Sequence, residues 1–344
     1  MSTSAGSELN NTNMSHHGGT KKLTLIAVKL LVTGACFWYL WRQIDVSDVL
    51  SAIPLLDFRW VTFATFLIVL EIPLLALRWS NVVAALAARN ERMTQTVMIA
   101  ITSIGQFFAQ VLPSMAGDGV RAWLLARLGS SWSNAVTSVV IDRAIGAGVL
   151  IAMGFAILLL PSGLAAFGGY RHVVLLVYGG LLFAGGAGLL LAPTLASLFA
   201  RWRYSRWLAG LTMSAHRVVL GRRGAVALGM ACLLHLLTIA AVWSLGRAQG
   251  LLLPLPDAAV LFTVMIGVAL VPISVGGWGL RELAVVSVLG NHGVAPEQAL
   301  LFSVGFGLIV MIGSLPGAAV WLVYSFAPSY RAAAQGRVTP KTAA

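Results

Sequence analysis

The sequence predicts an all-α polytopic membrane protein, and three observations point there. Of its 344 residues, 58% are hydrophobic and 10% charged, with a mean hydropathy of +0.88, against about 25% charged in a soluble domain. Leu23–Trp41, Val61–Leu77 and Ala135–Leu160 approach or exceed the roughly 20 apolar residues that a membrane-spanning helix needs. The octapeptide SMAGDGVR at 114–121 is echoed by SVGGWGLR at 274–281, 160 positions on, and each interrupts apolar sequence.

Eight apolar segments follow one another: 23–41, 61–88, 94–112, 134–160, 172–197, 225–248, 258–273 and 297–326. Two shorter helical pieces, 119–128 and 279–290, follow the two motifs. At 1.5 Å per residue they are too short to cross a core about 30 Å thick, so they read as re-entrant half-helices. Residues 1–20, rich in Ser, Asn, Gly and His, form a disordered tail, to which His16 and His17 belong. The first segment follows Lys21 and Lys22 without a small-x-small cleavage pattern, and is a retained helix. Cys36 and Cys232 both lie in apolar segments, so no disulfide, metal site or cofactor is expected.

The net charge of +12 sits at the ends of apolar segments, where topology signals belong, and nucleic acid is not an expected partner. If all eight segments crossed, the 198–224 loop, with Arg201, Arg203, Arg206, Arg217, Arg222 and Arg223 and no acid, would lie outside. That violates the positive-inside rule. If 94–112 and 258–273 instead dive in and return, every basic cluster falls inside, with both termini cytoplasmic. Three crossings then separate the two motifs, and the hairpins enter from opposite faces. About six full crossings and two re-entrant hairpins form an inverted repeat of halves 21–165 and 166–330, followed by a cytoplasmic tail at 331–344. Trp202, Trp207 and Leu211 leave open an amphipathic helix in the arginine loop, which is read here as an orientation signal. Gly313–Gly317 suits close helix packing.

Pro113 and Pro272 end the helices before the motifs, and Gly117, Gly119, Gly276, Gly277 and Gly279 permit a break and close approach. Ser114 or Asp118 could cap the first half-helix and Ser274 the second. Each new helix N-terminus, with Arg121 or Arg281 in its first turn, favours an anion, and two guanidinium groups suit a phosphate. Seven charges lie in apolar surroundings: Glu71, Asp118, Arg121, Asp142, Arg143, Arg281 and Glu282. At about 2.5–3.5 kcal/mol each they would cost about 20 kcal/mol exposed to lipid, so they pair or face water. Asp142 and Arg143 could form an internal salt bridge, and Arg121 and Arg281 could pair with Asp118 and Glu282. Glu71 is a candidate proton-coupling residue or a partner for Arg78. His235 reads as a hydrogen-bonded core histidine.

LPSMAGDGVRAWLLARLG (112–129), SVVIDRAIG (138–146) and VPISVGGWGLRELAVV (271–286), in that order, resemble the lysylphosphatidylglycerol synthase transmembrane-region family, also called flippase-like. The resemblance implies a bacterial inner-membrane protein. In the family's best-understood members this membrane region moves an aminoacylated phosphatidylglycerol between leaflets beside a cytosolic synthase domain. Nothing here resembles that domain, so a stand-alone member without lysyl-lipid synthesis is expected. Such members are associated with glycolipid, polyprenyl-linked sugar or hopanoid pathways. Asp118, Arg121, Asp142, Arg143, Arg281 and Glu282 match the family's charged positions, whereas Ser303 stands where many members carry a second-half arginine.

The sequence therefore predicts a flippase that is not an enzyme, with membrane lipids bearing anionic head groups as its partners. Its expected site is Ser114, Gly117, Asp118, Arg121, Asp142, Arg143, Ser274, Gly277, Arg281 and Glu282, with Glu71 as the coupling residue. No residue is assigned a catalytic role. The alternatives are a membrane enzyme using Asp118, Asp142 or Glu282 as acid or base, and a non-transporting partner of lipid- or glycan-synthesis enzymes. No GxSxG or HExxH motif supports the enzyme.

Overall fold

The computed structural model describes residues 31, 38, 56–87, 93–112, 116–160, 171–202, 205–270 and 278–326. Eleven helices account for nearly all of the continuous stretches: α1 (Phe58–Leu86), α2 (Gln95–Val111), α3 (Ala116–Arg127), α4 (Trp132–Leu158), α5 (Arg171–Leu190), α6 (Ala192–Ala200), α7 (Arg206–Leu220), α8 (Arg222–Ala248), α9 (Leu255–Leu270), α10 (Leu280–Gly290) and α11 (Pro296–Phe326). Five of them, α1, α4, α5, α8 and α11, are long and apolar enough to cross a membrane. They coincide with five of the six expected full crossings; of the sixth, 23–41, only residues 31 and 38 are described. Large apolar side chains such as Leu176, Phe183 and Val323 are 70% exposed or more, as helix faces turned to lipid should be.

Local chemistry sets the helix starts. The Asp57 carboxylate accepts from the Arg59 amide, the Thr94 hydroxyl from Val97 and the Ser131 hydroxyl from Asn134, each satisfying a donor that the first turn leaves free. α5 and α6 were expected as one segment, 172–197. The chain breaks at Leu191, and Pro193 sits in the first turn of α6, where its missing N–H is no loss. The arginine loop holds a full helix, α7, packed against α6 and α8 with Val218 buried.

Two groups of four helices correspond. α2 and α9 start 160 positions apart, and α1 and α8, like α4 and α11, start 164 apart. Trp79, Ile104, Leu125 and Val139 belong to a core within α1–α4, and Val242, Phe262, Leu289 and Phe302 to a second that centres on α8–α11 and takes in Leu67 of α1 and Leu150 of α4. Neighbours correspond too: α2 packs on α1 and α3 of its own group and on α11 of the other, while α9 packs on α8, α10 and α4. α1 and α8 meet along the seam. The short helices α2 and α9 thus each insert into the opposite group.

Close approach at these insertions needs glycine. A Cβ on Gly317 of α11 would fall on the Ser103 carbonyl of α2, and one on Gly313 would meet the Ile68 side chain of α1 at 2.8 Å. The expected packing role of this pair is therefore met at two helix contacts.

Candidate functional site

Five charged side chains from three helices form one buried network. Arg78 Nε and Nη2 of α1 donate to Asp142 Oδ1 and Oδ2 of α4 at 2.9 and 3.1 Å. Arg121 Nη2 of α3 donates to the same Asp142 Oδ2 at 3.0 Å, and its Nη1 lies 3.4 Å from Asp118 Oδ1. Arg143 Nε donates to Asp118 Oδ2 at 2.7 Å. Asp142 is fully buried and Arg121 is 1% exposed. The cluster holds three guanidinium groups and two carboxylates, so one positive charge is left over. Trp79 closes it from behind, with the Arg121 guanidinium 4.2 Å from its ring centroid and its own Nε1 donating to Ser138.

The adjacent residues Asp142 and Arg143 do not pair with each other; each bridges to another helix, Asp142 to α1 and α3 and Arg143 to α3, so the helix-locking salt bridge open to them in the sequence forms through separate partners. Successive helix positions point about 100° apart, so Asp142 turns inward to two arginines while Arg143 turns to Asp118. Arg78 is likewise held by Asp142, not by Glu71.

In the other group Arg281 and Glu282 do pair, with Nη2 and Nε of Arg281 at 2.6 and 3.0 Å from Glu282 Oε1. Ser303 sits between them: its hydroxyl donates to Glu282 Oε1 at 3.2 Å and lies 3.3 Å from Arg281 Nε. The position that lacks an arginine therefore supports the arginine that is present. Glu282 also accepts the Gly279 amide at 2.5 Å, and Gly279, at φ 86°, takes the N-cap place of α10. Ser274, expected to cap this helix, lies outside the described residues, as do Gly277 and Ser114. Asp118 is in the first turn of α3, with its carboxylate engaged by the two arginines.

Three glycines make room for the three most buried arginines. A Cβ on Gly146 would meet Arg78 Nη1 at 3.1 Å, one on Gly307 would meet Arg281 Nη2 at 2.6 Å, and one on Gly105 would overlap the Arg121 side chain. Gly117 packs α3 against the Gly105 backbone of α2.

Two adjoining cavities open onto these groups. The first, about 190 Å³, is lined by Arg78, Arg121 and Arg143 together with Glu71, Gln106 and His235. The second, about 210 Å³, is lined by Arg281, Gln110 and Ser314, and again by Glu71 and Gln106. Glu71, Gln106, Thr238 and Ile266 line both and so form the wall between them. Asp118, Asp142 and Glu282 stand behind the arginines and line neither cavity. They orient the guanidinium groups and keep them charged, while the arginines present the surface.

Glu71 accepts the Thr238 hydroxyl at 2.7 Å, and among the described residues no cation lies within 4.0 Å of it. His235 makes its bond to the Gly146 carbonyl at 3.0 Å, as a core histidine should, yet it also faces the first cavity. The Nε of Arg121 is buried with no acceptor among the described residues. An unmet buried donor costs about 1–3 kcal/mol, so the Arg121 Nε is a point of stored polar cost inside the cluster.

Gln106, Gln110 and Thr238 did not stand out in the sequence. A signal existed: Gln106 and Gln110 are one turn apart in an apolar helix, as are His235 and Thr238, so each pair shares a face.

Comparison with known proteins agrees with this architecture. Residues 26–317 match the family model described as the lysylphosphatidylglycerol synthase TM region. The chain belongs to that family. As a member of the lysylphosphatidylglycerol synthase TM-region family it is a membrane protein, and both arginine cavities fall within the matched residues. A 155-residue stretch is 30% identical to a Haloferax volcanii protein named glycosyltransferase AglD, covering 45% of this chain and 24% of the relative. The chain therefore spans about a quarter of that protein's length. No solved structure matches the chain.

Proposed function

We propose that this family member is a lipid translocator, moving a lipid with an anionic, phosphate-bearing head group between leaflets while its hydrocarbon chains stay in the bilayer. The substrate class spans phospholipids, aminoacyl-phosphatidylglycerol, glycolipids and polyprenyl-linked intermediates. The observation that carries the proposal is the pair of adjoining cavities, one walled by Arg78, Arg121 and Arg143 and the other by Arg281, with one shared wall. A head group held by one set of guanidinium groups has a second set beyond Glu71, Gln106 and Thr238.

In this proposal the corresponding groups are an inverted repeat, and α2–α3 and α9–α10 are re-entrant hairpins from opposite faces. Such a construction builds a central site reachable from either side. α2 and α9, at 17 and 16 residues, are about 24–26 Å long at 1.5 Å per residue, shorter than a bilayer core. The positive-inside rule then sets both termini and the arginine loop in the cytoplasm of a bacterial inner membrane. Glu71 acts as the coupling residue: as a carboxylate it repels an anion crossing the wall, and as an acid it can donate a hydrogen bond to it. No catalytic step is assigned, and Asp118, Asp142 and Glu282 serve the arginines.

The test is lipid transfer in reconstituted vesicles. Replacing Arg121 and Arg281 together by alanine should abolish transfer, and wild-type rates in that double variant would sink the proposal. The likeness to a glycosyltransferase favours one rival, a membrane enzyme or non-transporting partner in lipid-linked sugar synthesis. Turnover of a radiolabelled lipid by the purified chain, or transfer only in the presence of a companion enzyme, would select it.

A further inference from the structure

A third cavity, about 540 Å³, is not lined by any of the arginines. It lies between α4, α5 and α7, with Ala192 of α6 and Leu228 of α8 at its margins. Thr212 is the one polar side chain among its lining residues, and its hydroxyl already donates to the Leu208 carbonyl at 2.7 Å. Nothing in the lining asks for water.

Glycine shapes this groove in an unusual way. In membrane helices glycine normally lets a neighbouring helix approach, as Gly313 and Gly317 do here. A Cβ on Gly148, Gly185, Gly186 or Gly188, all of which line the groove, would meet no atom of the described residues within 4 Å. Glycine in a helix interior is less stable than alanine, and no protein contact offsets it at these four positions. The 18-residue window that marks α5, the outer wall, as a span has no buried residue. No side chain among the described residues fills the space.

The groove adjoins the first arginine cavity. On α4, Arg143, Gly146, Ala147 and Leu150 line that cavity, while Ala144, Ala147, Gly148 and Ile151 line the groove. Ala147 belongs to both, so the two spaces meet along one edge of the helix. Arg143, one turn before Ala147, has a side chain 51% exposed, and Arg121 lines the same cavity.

We propose that the groove seats one hydrocarbon chain of a lipid whose anionic head group is held at Arg121 and Arg143, the chain turning past Ala147. The head-group half rests on the translocation proposal; the chain seat rests on the groove. A dry wall, an uncompensated glycine lining and continuity with a cationic cavity are what an anionic lipid would need, since charge and hydrocarbon must be accommodated within one molecule's reach.

The test uses the full chain in phosphatidylcholine vesicles doped with phosphatidylglycerol carrying a diazirine at the end of one acyl chain. After irradiation, labelled peptides are mapped. Adducts should gather on 140–151 and 181–189 several-fold above the lipid-facing Leu176 and Val323. They should be lost in a Gly148→Leu/Gly186→Leu variant and retained in Gly148→Ala/Gly186→Ala, whose added methyl groups meet nothing. If the leucine pair does not fold, the map of the unsubstituted protein decides alone. Equal labelling of groove and outward positions means surrounding lipid only and overturns the proposal. So does a disulfide cross-link from position 186 to residues 20–55, which would make the occupant a segment of this chain. Diacylglycerol with the same diazirine chain should label the groove less than the phosphatidylglycerol probe; equal labelling would detach the groove from the arginines and overturn their link. Groove labelling that persists while the Arg121/Arg281 double variant still transfers lipid would leave the chain seat standing and remove the translocation proposal.

Discussion

Asp142 concentrates the electrostatics of the first group in one carboxylate, because both its oxygens are taken by arginines and none of it is exposed. Asp142→Ala leaves the buried Arg78 guanidinium without its counter-charge and Arg121 with only Asp118, a loss of about 3–5 kcal/mol for a broken buried pair. The expected outcome is a clearly lowered melting temperature in detergent. Glu71 differs, since its bond is accepted from a hydroxyl and an amide oxygen can accept it equally. Glu71→Gln should keep the melting temperature while lipid transfer in vesicles stops responding to an imposed proton gradient. An unchanged response would remove Glu71 from coupling. The charged positions themselves were legible in the sequence because charge in apolar surroundings stands out. Their partners were not: Asp142 sits beside Arg143 in the chain yet bonds to Arg78, 64 positions away.

At the scale of elements, glycines divide into two kinds that the sequence does not distinguish. Gly317 lies where α11 touches the α2 backbone, so Gly317→Val must push the helices apart, at about 1–3 kcal/mol as for other overpacked sites. Gly148 faces empty space in the middle of α4, so Gly148→Ala should be neutral or stabilising by up to about 1 kcal/mol. Thermal unfolding of the two variants side by side checks the pair of signs. Helix boundaries followed the apolar segments closely: 94–112 became α2 at Gln95–Val111, and 279–290 became α10 at Leu280–Gly290. The break between α5 and α6 was missed because apolar residues run through Leu191 on both sides. α7 was undervalued because its packing face, including Val218, becomes visible only against α8.

At the scale of the molecule, two four-helix groups exchange their short helices, with α2 on α11 and α9 on α4. If these groups are an inverted repeat, the connection carrying α7 lies on the cytoplasmic side. Single cysteines at positions 205 and 220, in a chain with Cys36 and Cys232 replaced, should label from the cytoplasm alone. Labelling only from the opposite face would overturn the inverted arrangement. The background replacement matters because Cys232 is exposed on α8.

The sequence alone determined that the chain is a helical membrane protein, where most helices run, that two glycine-rich motifs 160 positions apart share a pattern, and which positions carry charge in apolar surroundings. Those properties are local: hydropathy, residue spacing and helix-breaking chemistry act within a few turns. Tertiary structure alone decided that Asp142 serves Arg78 and Arg121, that Ser303 bridges Arg281 and Glu282, and that Thr238 meets Glu71 across 167 positions. It also decided which glycines touch a neighbour and which border open space. The physical reason is rotational: which face of a helix meets which neighbour depends on how whole helices pack, and no stretch of sequence short of both helices contains that.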